Sequence, residues 1–269
     1  MMKDLIYVFD LDGVITNPEN SSVNQSVVGR IRDILTDGGH VAVNTGRSFG
    51  WVEQHFIGGL GEDKSAFDRL YIVCEKGGES MLWQEGRFVS QPSRFALNRE
   101  AYDIVKDTFN SHANDFSSMF WDDTKRTMAT IEKKPDAELD AFREQRQSLT
   151  TLLHEKVEGY EVKIDATTIA TDVESPRAGK HAGAELIYGW VDEHTSVGRD
   201  NFVCFGDSAS DYEMARYFAQ QGAATTFVFV GKPDTHIDED ERVELVRPSA
   251  QYDAGTAEYL EQHHAGTHS

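Results

Sequence analysis

The chain has 269 residues, 39% of them hydrophobic, and 26 basic against 46 acidic side chains give a formal net charge of −20. Such a length fits a globular protein of one or two domains with room for a sizeable core. The acidic surplus repels nucleic-acid backbones and anionic membranes, and no apolar run approaches the roughly 20 residues of a membrane span.

In chain order, Leu5 to Phe9 is continuously apolar or aromatic and reads, with Asp10, as a buried strand. Only Lys3 and Asp4 separate it from the initial methionines, so no charged-then-apolar leader is expected. Val27, Ile31, Ile34 and Leu35 recur at helical spacing over 23–35, and Gly38-Gly39 stops that helix. His40 to Asn44 is a second short strand, Ser48 caps a helix running from Phe49 towards Ile57, and Leu70 to Cys74 is a third strand. This βαβαβ order implies a parallel sheet with helices on its faces. No Gly-x-Gly-x-x-Gly follows the first strand, which argues against a dinucleotide site. Gly58-Gly59-Leu60-Gly61 lacks the Lys-Ser/Thr pair of a phosphate loop and reads as a flexible turn.

The rhythm then changes. Residues 81–90 read as a hairpin with Glu85-Gly86 at its turn. Helices over 98–111 and 136–156 alternate with strand pairs at 117–122 and 126–132, then 160–165 and 168–174, giving an α+β module with an antiparallel sheet. After Gly179 the first rhythm returns: a helix over 180–191, strand 201–205, helix 211–218, strands 225–230 and 243–246, and helix 254–262. The expected architecture is therefore α/β, with 1–90 and 176–269 sharing one sheet and 91–175 inserted as a separate unit. Cys74 and Cys204 both lie in strand-like runs and read as reduced core thiols, consistent with a cytoplasmic compartment. The ten histidines show no zinc spacing; His263-His264 reads as exposed tail, and the final HHAGTHS as frayed.

In an open parallel sheet, ligands sit beyond the carboxyl ends of the strands. Four polar clusters fall there: Asp10 with Asp12, then Thr45-Gly46-Arg47, then Lys180, then Gly206-Asp207-Ser208 with Asp211. Carboxylates two apart at a strand end repel each other, and a hard divalent cation, Mg²⁺ above all, resolves that repulsion while retaining waters and a substrate phosphate. Asp10 and Asp207 would supply its carboxylates, with Lys180 and the Thr45 hydroxyl facing the remaining phosphoryl oxygens.

These motifs resemble the haloacid dehalogenase (HAD) phosphohydrolase superfamily: Asp10-Leu11-Asp12-Gly13-Val14, Thr45-Gly46-Arg47-Ser48, Lys180, and Gly206-Asp207-Ser208-Ala209-Ser210-Asp211 in that order. The insertion before Lys180 resembles a C2-type cap, subtype B, as in Cof-like and sugar-phosphate phosphatases. Two positions depart from the common pattern: Ser210 stands where relatives often have Asn, and Glu75-Lys76-Gly77-Gly78 where they often have Asn-Gly.

The resemblance implies a Rossmann-like core, a cap that closes over the site, and a Mg²⁺-dependent phosphatase working through an aspartyl-phosphate. Asp10 would be the nucleophile. Asp12 would be the general acid and then base, its backbone carbonyl a further metal ligand. Thr45 and Gly46 would hold the phosphate, and Arg47 would either reach it or brace its loop. Lys180 would neutralise charge between Asp10 and the phosphoryl group, and Asp207 would complete the metal site. Ser208 would support it, and Asp211 would orient Lys180 or the metal's waters. In the cap, Trp121, Lys125, Arg126 and Lys163 are candidates for reading the leaving group. The expected substrate is a small phosphorylated metabolite, foremost a sugar phosphate, handled by a monomer or homodimer. The alternatives are a phosphosugar mutase and a non-catalytic phospholigand-binding module.

Overall fold

In a computed structural model, which describes residues 5–195 and 197–264, the apolar run at the start of the chain becomes β1 (Ile6–Phe9), buried along its whole length. There follow α1 (Gln25–Thr36), β2 (His40–Asn44), α2 (Phe49–His55), β3 (Leu70–Cys74), β4 (Glu79–Gln84) and β5 (Arg87–Gln91). The middle of the chain gives α3 (Arg99–Ser111), β6 (Met119–Trp121), β7 (Ala129–Lys133), α4 (Leu139–Lys156), β8 (Lys163–Ala166) and β9 (Ala170–Glu174). The last third gives α5 (Lys180–His194), β10 (Asn201–Gly206), α6 (Tyr212–Gln220), β11 (Ala224–Phe229), β12 (Val243–Val246) and α7 (Tyr252–His264). Two compact units result: the described residues up to Pro92 together with those from Gly179 onward, and Ser93–Ala178.

The first unit is built on an eight-stranded sheet of order β12-β11-β10-β1-β2-β3-β4-β5. Its strands run parallel from β12 to β3 and antiparallel through the β4–β5 hairpin. Period-two alternation sorts β1 cleanly. Tyr7 and Phe9 join the cluster that holds Val27, Ile31 and Leu35 of α1 and Leu260 of α7. Ile6 and Val8 join the opposite cluster, with Ile187 and Trp190 of α5 and Met214 and Phe218 of α6. Both faces of the central strands are thus covered by helices, as a parallel sheet requires. Phe9 stacks on Phe205 of the neighbouring strand at 4.5 Å, and Phe202 on Phe218 at 3.9 Å. Each such fully buried side chain contributes about 1.5–3 kcal/mol of transfer free energy.

The sheet grows outward in both directions from its middle: β1 to β2 to β3 on one side, β10 to β11 to β12 on the other. The crossover reverses between β1 and β10, which pair with Phe9 opposite Phe205, so their carboxyl ends open side by side. That is the crevice where α/β sheets bind ligands.

The second unit is a four-stranded antiparallel sheet, order β6-β7-β9-β8. Val105 and Phe109 of α3 and Phe142, Leu149 and Leu153 of α4 pack with Ile131 and Val173 from its strands into a core of its own.

The expected hairpin lies within the shared sheet, β4 pairing with β3. Two local expectations are corrected. Residues Ile57–Leu60 form a 3-10 turn anchored by buried Ile57 and Leu60 rather than a flexible turn. His263 and His264 belong to α7, His263 stacking on Tyr259 at 4.0 Å, while residues 265–269 of the expected frayed tail lie outside the described residues. Cys74 and Cys204 are buried and unbridged on opposite faces of the sheet, and burial pushes both thiols well up, leaving them protonated and unreactive. Among the described residues no helix is long and apolar enough to cross a membrane.

Candidate active site

Asp10 is the first residue beyond β1 and Asp207 the first beyond β10. The Asp10 amide continues the ladder by donating to the Phe205 carbonyl at 3.1 Å. The chain then coils tightly, with the amides of Val14, Ile15 and Thr16 all donating to the Leu11 carbonyl. Gly13 makes that coil possible at φ +70°, and a Cβ there would collide with Asp207 Oδ2. A Cβ on Gly231 would likewise strike the Asp207 carbonyl oxygen, so Asp207 is wedged between two glycines.

Lys180, the first residue of α5, delivers its ammonium to the same spot. Nζ lies 2.6 Å from Asp10 Oδ1 and 2.8 Å from Asp211 Oδ1, and donates to the Asn44 carbonyl at 2.8 Å. The Asn44 side-chain Nδ2 returns the contact by donating to the Lys180 carbonyl at 2.8 Å. A cation at a helix N-terminus opposes the helix dipole; two carboxylates compensate it here. Asp211 is fully engaged: its Oδ2 accepts from the Asp207 amide (3.2 Å), the Ser208 amide (3.0 Å) and the Ser208 hydroxyl (2.6 Å). Ser208 and Ser210 hydroxyls lie 2.9 Å apart.

On the other side, Arg47 grips Asp12 with two nitrogens, Nη2 to Oδ1 at 2.7 Å and Nε to Oδ2 at 3.0 Å, while its guanidinium lies 4.9 Å over the Trp51 ring. Arg47 is therefore paired with the side chain of Asp12 across the crevice. Thr45 is buried at the end of β2; its amide donates to the Val73 carbonyl and its hydroxyl accepts from the Arg47 amide at 3.1 Å. Ser48 caps α2 by accepting from the Trp51 amide.

Electrostatics follow from this crowding. Burial raises the Asp10 carboxyl to about 8; Asp211 and Asp12 add to the rise and the Lys180 charge opposes it. Burial likewise pushes Asp207 up to about 6, with Asp211 adding and Lys180 opposing. Lys180 is pulled down by burial, but Asp10 and Asp211 outweigh this and hold its ammonium above the ordinary range. For Asp211 burial is overcome by Lys180 and the Ser208 bonds, which keep it low and ionised. Carboxylate oxygens of Asp10, Asp207 and Asp211 lie within 4.8 Å of one another. Because Lys180 and the 207–208 backbone already occupy Asp211, Asp10 and Asp207 are the carboxylates left for a cation. Their hard oxygen donors and raised carboxyls fit Mg²⁺.

The structure thus gathers Asp10, Asp207, Ser208, Lys180 and Asp211 at one point and joins Asp12 to Arg47 beside the Thr45-Gly46 turn. The four cap candidates lie in the second unit. There Lys163 pairs with Glu174 at 3.0 Å and Asp165 at 3.5 Å, Lys125 donates to Thr130 Oγ1, Trp121 packs edge-on to Tyr102, and Arg126 is exposed. Two supporting residues went unread in the sequence. Asn44 was legible as a polar end to an apolar strand; Gly231 carried no signal beyond following one.

No family model matches the chain, and no curated protein sequence does. Solved structures do match. The C-terminal domain of the trehalose-6-phosphate phosphatase of C. albicans aligns with TM-score 0.65 and 14% identity over 97% of this chain and 92% of that one. A haloacid dehalogenase-like hydrolase from Bacteroides thetaiotaomicron gives 0.64 and 12% over 96% and 98%. The sucrose-phosphatase of Synechocystis, solved with sucrose and phosphate, gives 0.55 and 16% over 98% of both chains. At these identities the likeness is one of fold.

Proposed function

Starting from the haloacid dehalogenase-like hydrolase fold, we propose that this chain is a phosphomonoester hydrolase acting on a small phosphorylated metabolite, foremost a sugar phosphate. The observation that carries this reading is Asp10: a buried carboxylate at the crossover point of the sheet, 2.6 Å from Lys180 and beside Asp207. The substrate class is supported by the named activities of the trehalose-6-phosphate and sucrose-phosphate enzymes that share the fold over nearly their whole length.

A carboxylate oxygen of Asp10 attacks phosphorus in line, and the bond to the leaving oxygen breaks as Asp12 protonates it. Asp12 then takes a proton from the water that attacks the aspartyl-phosphate, releasing inorganic phosphate and restoring Asp10. Asp12 enters as the carboxylic acid and is the carboxylate only between the two transfers; Arg47 fixes its position for both. Lys180, the Thr45 hydroxyl and the backbone at Gly46 stabilise charge on the transferring phosphoryl group. Mg²⁺ held by Asp10, Asp207 and the Asp12 carbonyl would neutralise the paired carboxylates and the phosphoryl oxygens when bound.

Phosphate release from p-nitrophenyl phosphate and a panel of sugar phosphates, with Mg²⁺ and with EDTA, tests this. We expect release that Asp10→Asn lowers by at least about a thousandfold. Isomerised sugar phosphate in place of free phosphate would mark a mutase, and turnover no greater than that of the Asp10→Asn variant would remove the catalytic reading.

A further inference from the structure

Val41, Ala42 and Val43 of β2 are apolar and buried, and the strand then ends in Asn44, which is 0% exposed. A buried side-chain amide needs a partner at each end, and Asn44 has one at only one of them. Its Nδ2 donates to the Lys180 carbonyl at 2.8 Å and lies 3.8 Å from Met214 Sδ; among the described residues Oδ1 has no hydrogen-bond partner. The Lys180 carbonyl can only accept, which fixes the end of the amide that faces it. An apolar side chain would finish the strand without the desolvation cost of Oδ1, so the packing of the sheet does not account for this residue.

The helix opposite makes room for it. Gly183 lies three residues after Lys180 on α5, and a Cβ there would overlap Oδ1 and Cγ of Asn44. Gly183 is inside the helix and has no positive φ, a setting in which Ala is favoured over Gly. The glycine therefore supplies space rather than a turn, and the amide and that space are two halves of one contact.

That contact links the two groups assigned above to the phosphoryl oxygens. Thr45 directly follows Asn44, and the Asn44 carbonyl accepts from Lys180 Nζ at 2.8 Å. Residues 44 and 180 thus hold each other by two hydrogen bonds of opposite direction. Asp10 and Asp211 take the ammonium, whereas the Asn44 side chain holds the main chain from which Lys180 projects. One buried residue so ties the start of α5 to the strand end that carries Thr45.

We propose that Asn44 is a positioning residue, its amide setting Lys180 against Thr45 so that ammonium and hydroxyl meet the phosphoryl group together in the transition state. The assignment rests on the phosphatase reading above. Asn44→Ala removes the amide, Gly183→Ala drives a methyl into it, and the double variant shows whether both act through one contact. Thermal unfolding is recorded for each. With Mg²⁺ present, kcat and KM for p-nitrophenyl phosphate are measured, and inhibition by inorganic phosphate and by orthovanadate, whose five-coordinate form resembles the transition state. We expect each single variant to lower kcat about 10-fold or more with KM changed less than about threefold. Orthovanadate should weaken by the same factor as kcat, while phosphate binds nearly as in wild type. The double variant should be no slower than Asn44→Ala, because the group that the methyl strikes is gone. Equal losses for phosphate and orthovanadate, activity that merely follows the folded fraction, or additive losses in the double variant would each reduce Asn44 to a packing residue. Wild-type kcat in Asn44→Ala would do the same. A wild-type protein that neither hydrolyses the ester nor binds phosphate would instead refute the phosphatase reading itself, and this assignment with it.

Discussion

The Arg47–Asp12 pair is half exposed on both sides, and ion pairs so placed add little to stability. Its worth is orientation, since two guanidinium nitrogens fix the plane of one carboxylate. Replacing Arg47 with Lys keeps the charge but cannot reproduce that fork. Steady-state kinetics of Arg47→Lys should show kcat reduced about 10- to 100-fold with KM changed far less; a raised KM with unchanged kcat would move Arg47 to the substrate phosphate instead. Asp207 yields a prediction of opposite sign to the usual carboxylate. Its folded pKa of about 6 lies above the unfolded value of about 3.9. The folded state therefore binds the proton more tightly, and stability from this group falls as pH rises from about 4 to about 6. In EDTA at pH 8, Asp207→Asn should unfold later than wild type. The stabilisation by Mg²⁺, which needs the ionised carboxylate, should be small at pH 5, large at pH 8 and absent in the variant. Scanning fluorimetry reads all of these, and a Mg²⁺ increment independent of pH would contradict them.

At the scale of elements, the strand ends and the turns that follow them carry the site, and the two kinds were not equally legible. β2 and β3 coincide with the runs HVAVN and LYIVC because an apolar stretch bounded by polar or glycine residues has one place to go. α1 matches its apolar spacing because Val27, Ile31, Ile34 and Leu35 must share a buried face. The hairpin was visible in Glu85-Gly86, but its pairing with β3 was not, since neither turn chemistry nor alternation names a partner strand. Gly13 shows what a turn can hide. Its sequence signal is that of any glycine after an Asp, whereas its position sets it directly against Asp207, a carboxylate proposed to hold Mg²⁺. Gly13→Ala should cost about 1–3 kcal/mol in denaturant unfolding and abolish Mg²⁺ stabilisation. Gly86→Ala is the contrast: φ is +81°, but nothing lies within 4 Å of the added methyl, so it should pay the backbone cost and keep its Mg²⁺ response.

Over the whole molecule, a charge of −20 must be reconciled with the anionic substrate proposed above. The long-range field repels it while Lys180 and the neighbouring cations attract it only at close range. Screening shortens the reach of the unfavourable field from about 30 Å at 10 mM salt to about 8 Å at 150 mM. With Mg²⁺ saturating, kcat/KM for a dianionic ester should therefore rise with monovalent salt, and the unfolding temperature with it as self-repulsion weakens. A fall in kcat/KM over that range would mean that local cations dominate the approach of substrate.

By itself the sequence determined the α/β class, the order of elements and the polar clusters at their ends. Those follow from periodicity and from the cost of burying carboxylates at a strand terminus, both local in the chain. Only the tertiary structure decided that Lys180 sits between Asp10 and Asp211, that Arg47 turns to Asp12, and that Gly13 and Gly231 bracket Asp207. The Lys180 and Asp207 arrangements depend on β10 pairing with β1 across nearly 200 residues, and the Arg47–Asp12 contact on β1 pairing with β2; such pairings are selected by the packing of both sheet faces at once rather than by any segment alone.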